Sequence, residues 1–178
     1  MKKEISVADY ASHILKALEK GVLITTKSGE KINTMTVSWG SLGIEWGKPI
    51  FTTFVRESRF TREQLDKTME FTVNIPMEAC DKATLAYCGT HSGRAVDKLR
   101  ERNLTAVPSD CIEAPGIREF PLTLECRVVC RQPQDLAALS PEKMAYYPPV
   151  GDGDSQAETR DFHIAYCGEI LKAYILEP

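Results

Sequence analysis

Leu122-Thr123-Leu124-Glu125-Cys126-Arg127-Val128-Val129-Cys130-Arg131 carries the clearest secondary-structure signal in the chain. Leu122, Leu124, Cys126, Val128 and Cys130 alternate with Thr123, Glu125, Arg127, Val129 and Arg131, the period of two expected of a strand with one buried face. Downstream, residues 162–176 read as a closing strand bent near Gly168. Upstream, residues 70–75 form a strand stopped by Pro76, and residues 50–55 another that follows Pro49. Residues 22–26 and 32–39, separated by Lys27-Ser28-Gly29-Glu30, read as a β-hairpin. Gly40, Gly43 and Gly47 interrupt the pattern around Trp46. Strands at these uneven spacings, with helices between them, do not suit a parallel βαβ fold. They predict a mainly β chain with helices, an antiparallel barrel decorated on its outside.

The helical segments are shorter. Val7, Tyr10, Ala11, Ile14, Leu15 and Leu18 recur at helical spacing over residues 6–20, with Ser6 and Asp9 as a capping box and Gly21 as the stop. Residues 58–68 predict a second helix, and residues 78–103 two more, split at Gly89-Thr90-His91-Ser92-Gly93. Residues 141–160, rich in Pro, Gly and Asp, read as a loop or lid. No repeat or linker divides the 178 residues, so a single domain is expected over 1–178.

A formal charge of −3 lacks the positive field that nonspecific nucleic-acid binding requires. No apolar run is long enough to span a bilayer, and a cytoplasmic location is expected. The six cysteines include no CxxC pair and should be reduced there. Cys126 and Cys130, on one face of the predicted strand, read as small buried residues rather than as metal ligands.

Three segments carry candidate chemistry. In Asn33-Thr34-Met35-Thr36-Val37-Ser38-Trp39-Gly40, one side offers the small hydroxyls Thr34, Thr36 and Ser38, the other Asn33, Met35, Val37 and Trp39. A row of small residues lets a flat ligand approach the backbone; a solvent-facing Thr/Ser row is the plain alternative. Arg56-Glu57-Ser58-Arg59-Phe60-Thr61 follows a strand and opens a helix. Free amides of a first turn, hydroxyls and guanidinium groups together suit a phosphate, although a solvated N-cap reads equally well. Cys88-Gly89-Thr90-His91-Ser92-Gly93-Arg94-Ala95-Val96-Asp97-Lys98 is a second turn of this kind. It places Arg94 and Lys98 on one helical face with Asp97 close to both, and its glycines match neither a P-loop nor a dinucleotide fingerprint. His13 is expected at the surface, His91 at a ligand's periphery and His163 at the start of the last strand. No hydrolytic triad, Cys-His or paired-carboxylate arrangement can be assembled, so any reaction the chain catalyses must be supplied by a bound cofactor.

In order and spacing these segments, with Lys48-Pro49, Phe71-Thr72-Val73-Asn74, Leu124-Glu125-Cys126 and His163-Ile164-Ala165-Tyr166-Cys167-Gly168-Glu169-Ile170, resemble the flavin reductase-like family, and its flavoredoxin branch most closely, over about residues 15–175. The resemblance implies an FMN-binding split β-barrel, usually a homodimer with flavin sites near the subunit interface. It implies that Thr34, Met35, Thr36, Val37, Ser38 and Trp39 line the isoalloxazine. Arg56, Ser58, Arg59, Thr61, Ser92, Arg94 and Lys98 would hold the phosphate, and His163 would approach the flavin or nicotinamide as the catalytic candidate. The activity implied is electron transfer from NADH or NADPH through FMN to a flavin, a metal ion or a redox protein. An FMN-binding electron carrier without a nicotinamide site is the alternative.

Overall fold

The alternation at residues 122–131 becomes the centre of an antiparallel sheet. The computed structural model describes residues 1–78, 81–150 and 159–177. Its elements are β1 (Lys2–Glu4), α1 (Val7–Lys20), β2 (Val22–Ser28), β3 (Lys31–Val37), β4 (Gly40–Glu45), β5 (Lys48–Arg56), α2 (Phe60–Thr68), β6 (Glu70–Ile75), α3 (Lys82–Thr90), α4 (Lys98–Glu101), β7 (Ala106–Val107), β8 (Gly116–Ile117), β9 (Leu122–Pro133), α5 (Pro141–Met144), β10 (Pro149–Val150), β11 (Thr159–Arg160) and β12 (His163–Leu176). The main sheet runs β3-β2-β6-β9-β12-β5-β4, with β1 also paired to β12. All its pairings are antiparallel. No helix among the described residues is long and apolar enough to cross a membrane.

One face of this sheet closes over α1 and α2. Ile14 and Leu18 of α1 and Leu65 of α2 pack with Ile24, Phe51, Phe71, Leu124, Cys126 and Tyr166, all buried. On the far side α3 covers β2, where Leu23 meets Leu85, Cys88, Ile117 and Phe120. The mainly β, antiparallel expectation holds, but the sheet is not closed into a barrel: β3 and β4 end it without pairing. The outer edge of β3 has another partner, because the Thr34 carbonyl there accepts from Lys98 Nζ.

Three local expectations change. The glycines of residues 40–47 do not interrupt the sheet; β4 pairs with β5 from Gly40↔Thr53 to Glu45↔Lys48. The two residues left over, Trp46 and Gly47, both have positive φ (51° and 71°), the geometry of a tight hairpin turn whose twist matches its strands. Cys126 and Cys130 do not share a face. Cys167 pairs with Cys130 but Gly168 pairs with Val128, so Val129 is an extra residue and the bulge turns Cys130 away from the core. Gly168, near the bend expected in β12, stands at this register shift, and a Cβ there would lie 2.6 Å from Phe71 Cζ. Finally, Ser6 occupies the N-cap of α1 without a side-chain capping bond. The expected lid at residues 141–160 contains α5, β10 and β11, and its residues 151–158 lie outside the described residues.

Candidate functional site

Two hollows meet at Met35 and Arg59. The first, of about 100 Å³, lies between the start of α2 and the turn after α3. Its lining includes Ser58, Arg59, Thr61, Ser92, Arg94 and Lys98. β5 delivers the chain to α2 at Arg59, whose extended backbone (ψ 139°) makes it the N-cap and leaves the first-turn amides facing the hollow's side of the helix. The segment between α3 and α4 is a turn, and Asp97 caps α4 by accepting from the Arg100 amide at 3.2 Å. That geometry sends Lys98 inward.

Lys98 is only 5% exposed. Its ammonium donates to the carbonyls of Thr34 (2.9 Å) and Cys88 (2.8 Å), and no carboxylate among the described residues pairs with it. Burial, opposed by the Cys88 thiol and reinforced by the Arg59 guanidinium, lowers its pKa to about 8. Arg59 borders both hollows, and its guanidinium has no hydrogen-bond or ion-pair partner among the described residues. Arg94 differs: it pairs with Glu63, whose carboxyl it holds below the usual range, and donates to the Ser58 carbonyl at 3.3 Å. Asn33, 3% exposed, donates to Thr61 Oγ1 at 2.9 Å while its own Oδ1 has no partner among the described residues. Gly93 sits against that oxygen; a Cβ at residue 93 would lie 2.0 Å from it.

The second hollow, of about 240 Å³, has a different chemistry. Val37, Trp39 and Phe54 give it apolar walls, with Thr36, Ser38, Arg56 and His163 at its polar points. Trp39 leans on His163 (ring centroids 4.9 Å apart) and meets Tyr146 edge-on at 5.4 Å. His163 Nδ1 lies 2.9 Å from the Tyr147 hydroxyl, which donates to Gln134 Oε1. The Tyr147 oxygen is therefore the acceptor for an Nδ1–H, and Nε2 carries the imidazole's lone pair. Burial first, then the charge of Arg56, lowers the His163 pKa to about 4, so the ring is neutral at pH 7.

The comparisons with known proteins point one way. The family described as the flavin reductase like domain matches residues 17–175. The chain belongs to the flavin reductase-like family. It is 32% identical over 100 residues to an uncharacterized protein of Archaeoglobus fulgidus; the match covers 56% of this chain and 55% of that protein, so the chain spans little more than half of this relative. Among solved structures it is similar to the flavoredoxin of Desulfovibrio vulgaris (Miyazaki F), with a TM-score of 0.63 and 21% identity over 88% of this chain and 69% of the other. It is similar too to a flavoredoxin from Methanosarcina acetivorans, with a TM-score of 0.61 and 25% identity over 88% and 68% of the two chains.

Within this flavin reductase-like chain, the structure gathers most of the residues singled out from the sequence around the two hollows, but not Thr34, and it places Arg56 on the second rather than the first. Thr34 lines neither hollow: its hydroxyl is buried between Thr25 Oγ1 and the Ile24 carbonyl. Thr36 borders the second hollow but gives its hydroxyl to the Leu85 carbonyl of α3 at 2.6 Å, whereas Ser38 is exposed on that hollow. Arg56 lies in the second hollow, away from the expected phosphate end, and clamps the carbonyls of Asp161 (2.8 Å) and Tyr146 (3.0 Å). Ser58 gives both its amide and its hydroxyl to the Asp161 carboxylate. Arg94 and Lys98 do not share a helical face, because α4 begins only at Lys98. His13 is half-buried and 2.8 Å from the Pro76 carbonyl, and His91 stacks on Tyr87 at the rim of the first hollow. Sequence reasoning missed Phe54, although the period of two that links it to Arg56 on β5 would have placed both on one face.

Proposed function

We propose that this chain is an FMN-binding oxidoreductase that accepts hydride from NADH or NADPH and passes electrons to a flavin, a metal ion or a redox protein, working as a homodimer. The observation that carries the reading is Lys98, a buried ammonium with carbonyl partners, beside Arg59; among the described residues neither has a carboxylate partner. A buried cation left unpaired is costly, and a ligand phosphate supplies the missing charge. The donor set fits the group: two cations, the Thr61 and Ser92 hydroxyls and the amides opening α2 surround one end, and a mixed cleft with Val37, Trp39 and Phe54 among polar Thr36, Ser38, Arg56 and His163 adjoins it.

When bound, FMN supplies the two-electron redox chemistry. The chain's own residues do the rest. Lys98 and Arg59 hold the phosphate; Val37, Trp39 and Phe54 exclude water from the adjoining cleft. His163, kept neutral and tautomerically fixed by Tyr147 and Gln134, offers Nε2 as a proton or hydrogen-bond acceptor. Arg56 ties the segment bearing Tyr146 and Asp161 to β5, which sets the mouth of the cleft.

The test is spectroscopic. Purified protein mixed with FMN should show a perturbed flavin absorbance and quenched fluorescence, and no perturbation at any FMN concentration would defeat the reading. Stopped-flow mixing of the loaded protein with NADH and with NADPH then separates a reductase, in which the flavin colour bleaches rapidly, from an electron carrier that only a protein donor reduces.

A further inference from the structure

The bulge described above sets Cys130 apart from Cys126 and makes it the directly opposed partner, on β9, of Cys167 on β12. They sit in a row that crosses four strands on one sheet face, Ser41–Thr52–Cys167–Cys130, every member at least partly exposed. Directly opposed residues of an antiparallel pair have Cα atoms about 4.5–5.5 Å apart, inside the roughly 4.4–6.8 Å that a disulfide spans. The extra residue, Val129, is 45% exposed on this side and leaves the ladder locally free to adjust. Neither thiol belongs to the packed core, which holds Cys126 on the opposite face. The two sulfurs also feel each other: besides burial, the Cys167 thiol pushes the Cys130 pKa upward.

We propose that Cys130 and Cys167 form a redox-active dithiol, a modification site that reacts with low-molecular-weight disulfides to close a reversible cross-strand bridge. One thiolate attacks a sulfur of the small disulfide, forming a mixed disulfide and releasing one small thiol. The second cysteine's thiolate then attacks the protein sulfur of that mixed disulfide, forming the Cys130–Cys167 bond and releasing the second small thiol. The two protein sulfurs together lose two electrons, which the small disulfide gains, and the two thiol protons end on the released thiols. The bridge would join the strand that carries Gln134 at its end to the strand that starts at His163. Cys167 lies on the same face as His163, four residues or about 13 Å along β12. The inference does not depend on FMN binding.

The experiment uses the full chain, without and with FMN, treated with oxidised glutathione under native conditions, alkylated and digested with trypsin. Cleavage after Arg127, Arg131, Arg160 and Lys172 isolates Cys130 in residues 128–131 and Cys167 in residues 161–172. The expected product is these two peptides joined within one chain, lighter by two hydrogens and separated again by dithiothreitol. Cys130→Ser should instead retain a glutathione adduct on Cys167, and Cys167→Ser one on Cys130, because neither has a resolving partner. Cys111, exposed and on another part of the surface, serves as the reference for a thiol that only accumulates the adduct. Separate adducts on Cys130 and Cys167 in the wild-type chain, a bridge between two chains, or both thiols still fully alkylatable would each overturn the proposal.

Discussion

Replacing Lys98 by Met tests the charge logic of the site most directly. Folding lowers the Lys98 pKa from 10.5 to about 8, which corresponds to roughly 3 kcal/mol held against the ammonium in the ligand-free protein. A phosphate in the first hollow would relieve that penalty, and a charge-assisted bond is worth about 1.5–3 kcal/mol, or roughly tenfold to 150-fold in Kd. Met removes the buried charge but leaves the Thr34 and Cys88 carbonyls without their donor. The two effects oppose each other, so the stability of the ligand-free protein should change by less than about 2 kcal/mol. The assay is fluorescence titration with FMN and, in parallel, with riboflavin, which lacks the phosphate. FMN affinity should fall at least about tenfold while riboflavin affinity stays within about twofold. The pH dependence has a fixed sign. Lys98 is charged below about pH 8 in the free protein and must regain its proton to meet a phosphate above it. Wild-type FMN affinity should therefore weaken from pH 7.5 to 9.5, by up to about tenfold per pH unit, and the Met variant should lose that slope. Equal losses for FMN and riboflavin, or no loss for either, would refute the reasoning.

Arg59→Ala should weaken FMN binding by about 1–3 kcal/mol and leave urea unfolding nearly unchanged, since its guanidinium supports no other described residue. Gly93→Ala forces a methyl group against Asn33 Oδ1 and within 2.9 Å of Phe60 Cδ1, so urea unfolding should show a loss of about 1–3 kcal/mol together with weaker FMN binding. The ring of His163 should titrate near pH 4 by NMR rather than near 6.5. Its folded-state pKa lies below the unfolded one, so the stability it contributes is present above pH 6.5 and lost as pH falls through 4; His163→Gln should flatten that part of the stability profile by up to roughly 3 kcal/mol.

The strands at residues 122–131 and 70–75 were legible from their alternation and their β-rich run, and both reappear. The alternation did not show that residues 122–126 are buried on both faces, because Thr123 and Glu125 are covered from the other side, Glu125 accepting from the Asp110 and Cys111 amides. What the alternation could not contain was the register. A single extra residue, Val129, moves Cys130 to the opposite face without disturbing the pattern that seemed to place it with Cys126. β4 was hidden for a different reason: glycines that read as interruptions lie in an edge strand, and Gly47 completes a turn recognisable only once Glu45 and Lys48 are seen to pair. The outer edge of β3, where the sheet ends, is met by a lysine 64 residues away, a contact no local pattern announces.

The candidate site shows the same division between local and long-range information. Residues 58–61 and 92–98 come together because each segment is a turn feeding a helix, and that much is local. Which cations remain available is not local at all. Arg94 is taken by Glu63 and Arg56 by the carbonyls of Asp161 and Tyr146, partners separated from them by 31 to 105 residues. By sequence, Arg56, Arg59, Arg94 and Lys98 are equivalent candidates for a phosphate; in the fold, packing has already used two of them. Arg59 and Lys98 border the first hollow with no carboxylate partner among the described residues, whereas Arg94 borders it already paired to Glu63; Lys98 is also buried at a depth where an ammonium loses part of its preference for charge. In a chain of net charge −3, carboxylates were available to neutralise that position. Placing only carbonyls around Lys98 keeps it a donor that a phosphate can complete, whereas a carboxylate there would have filled the place itself.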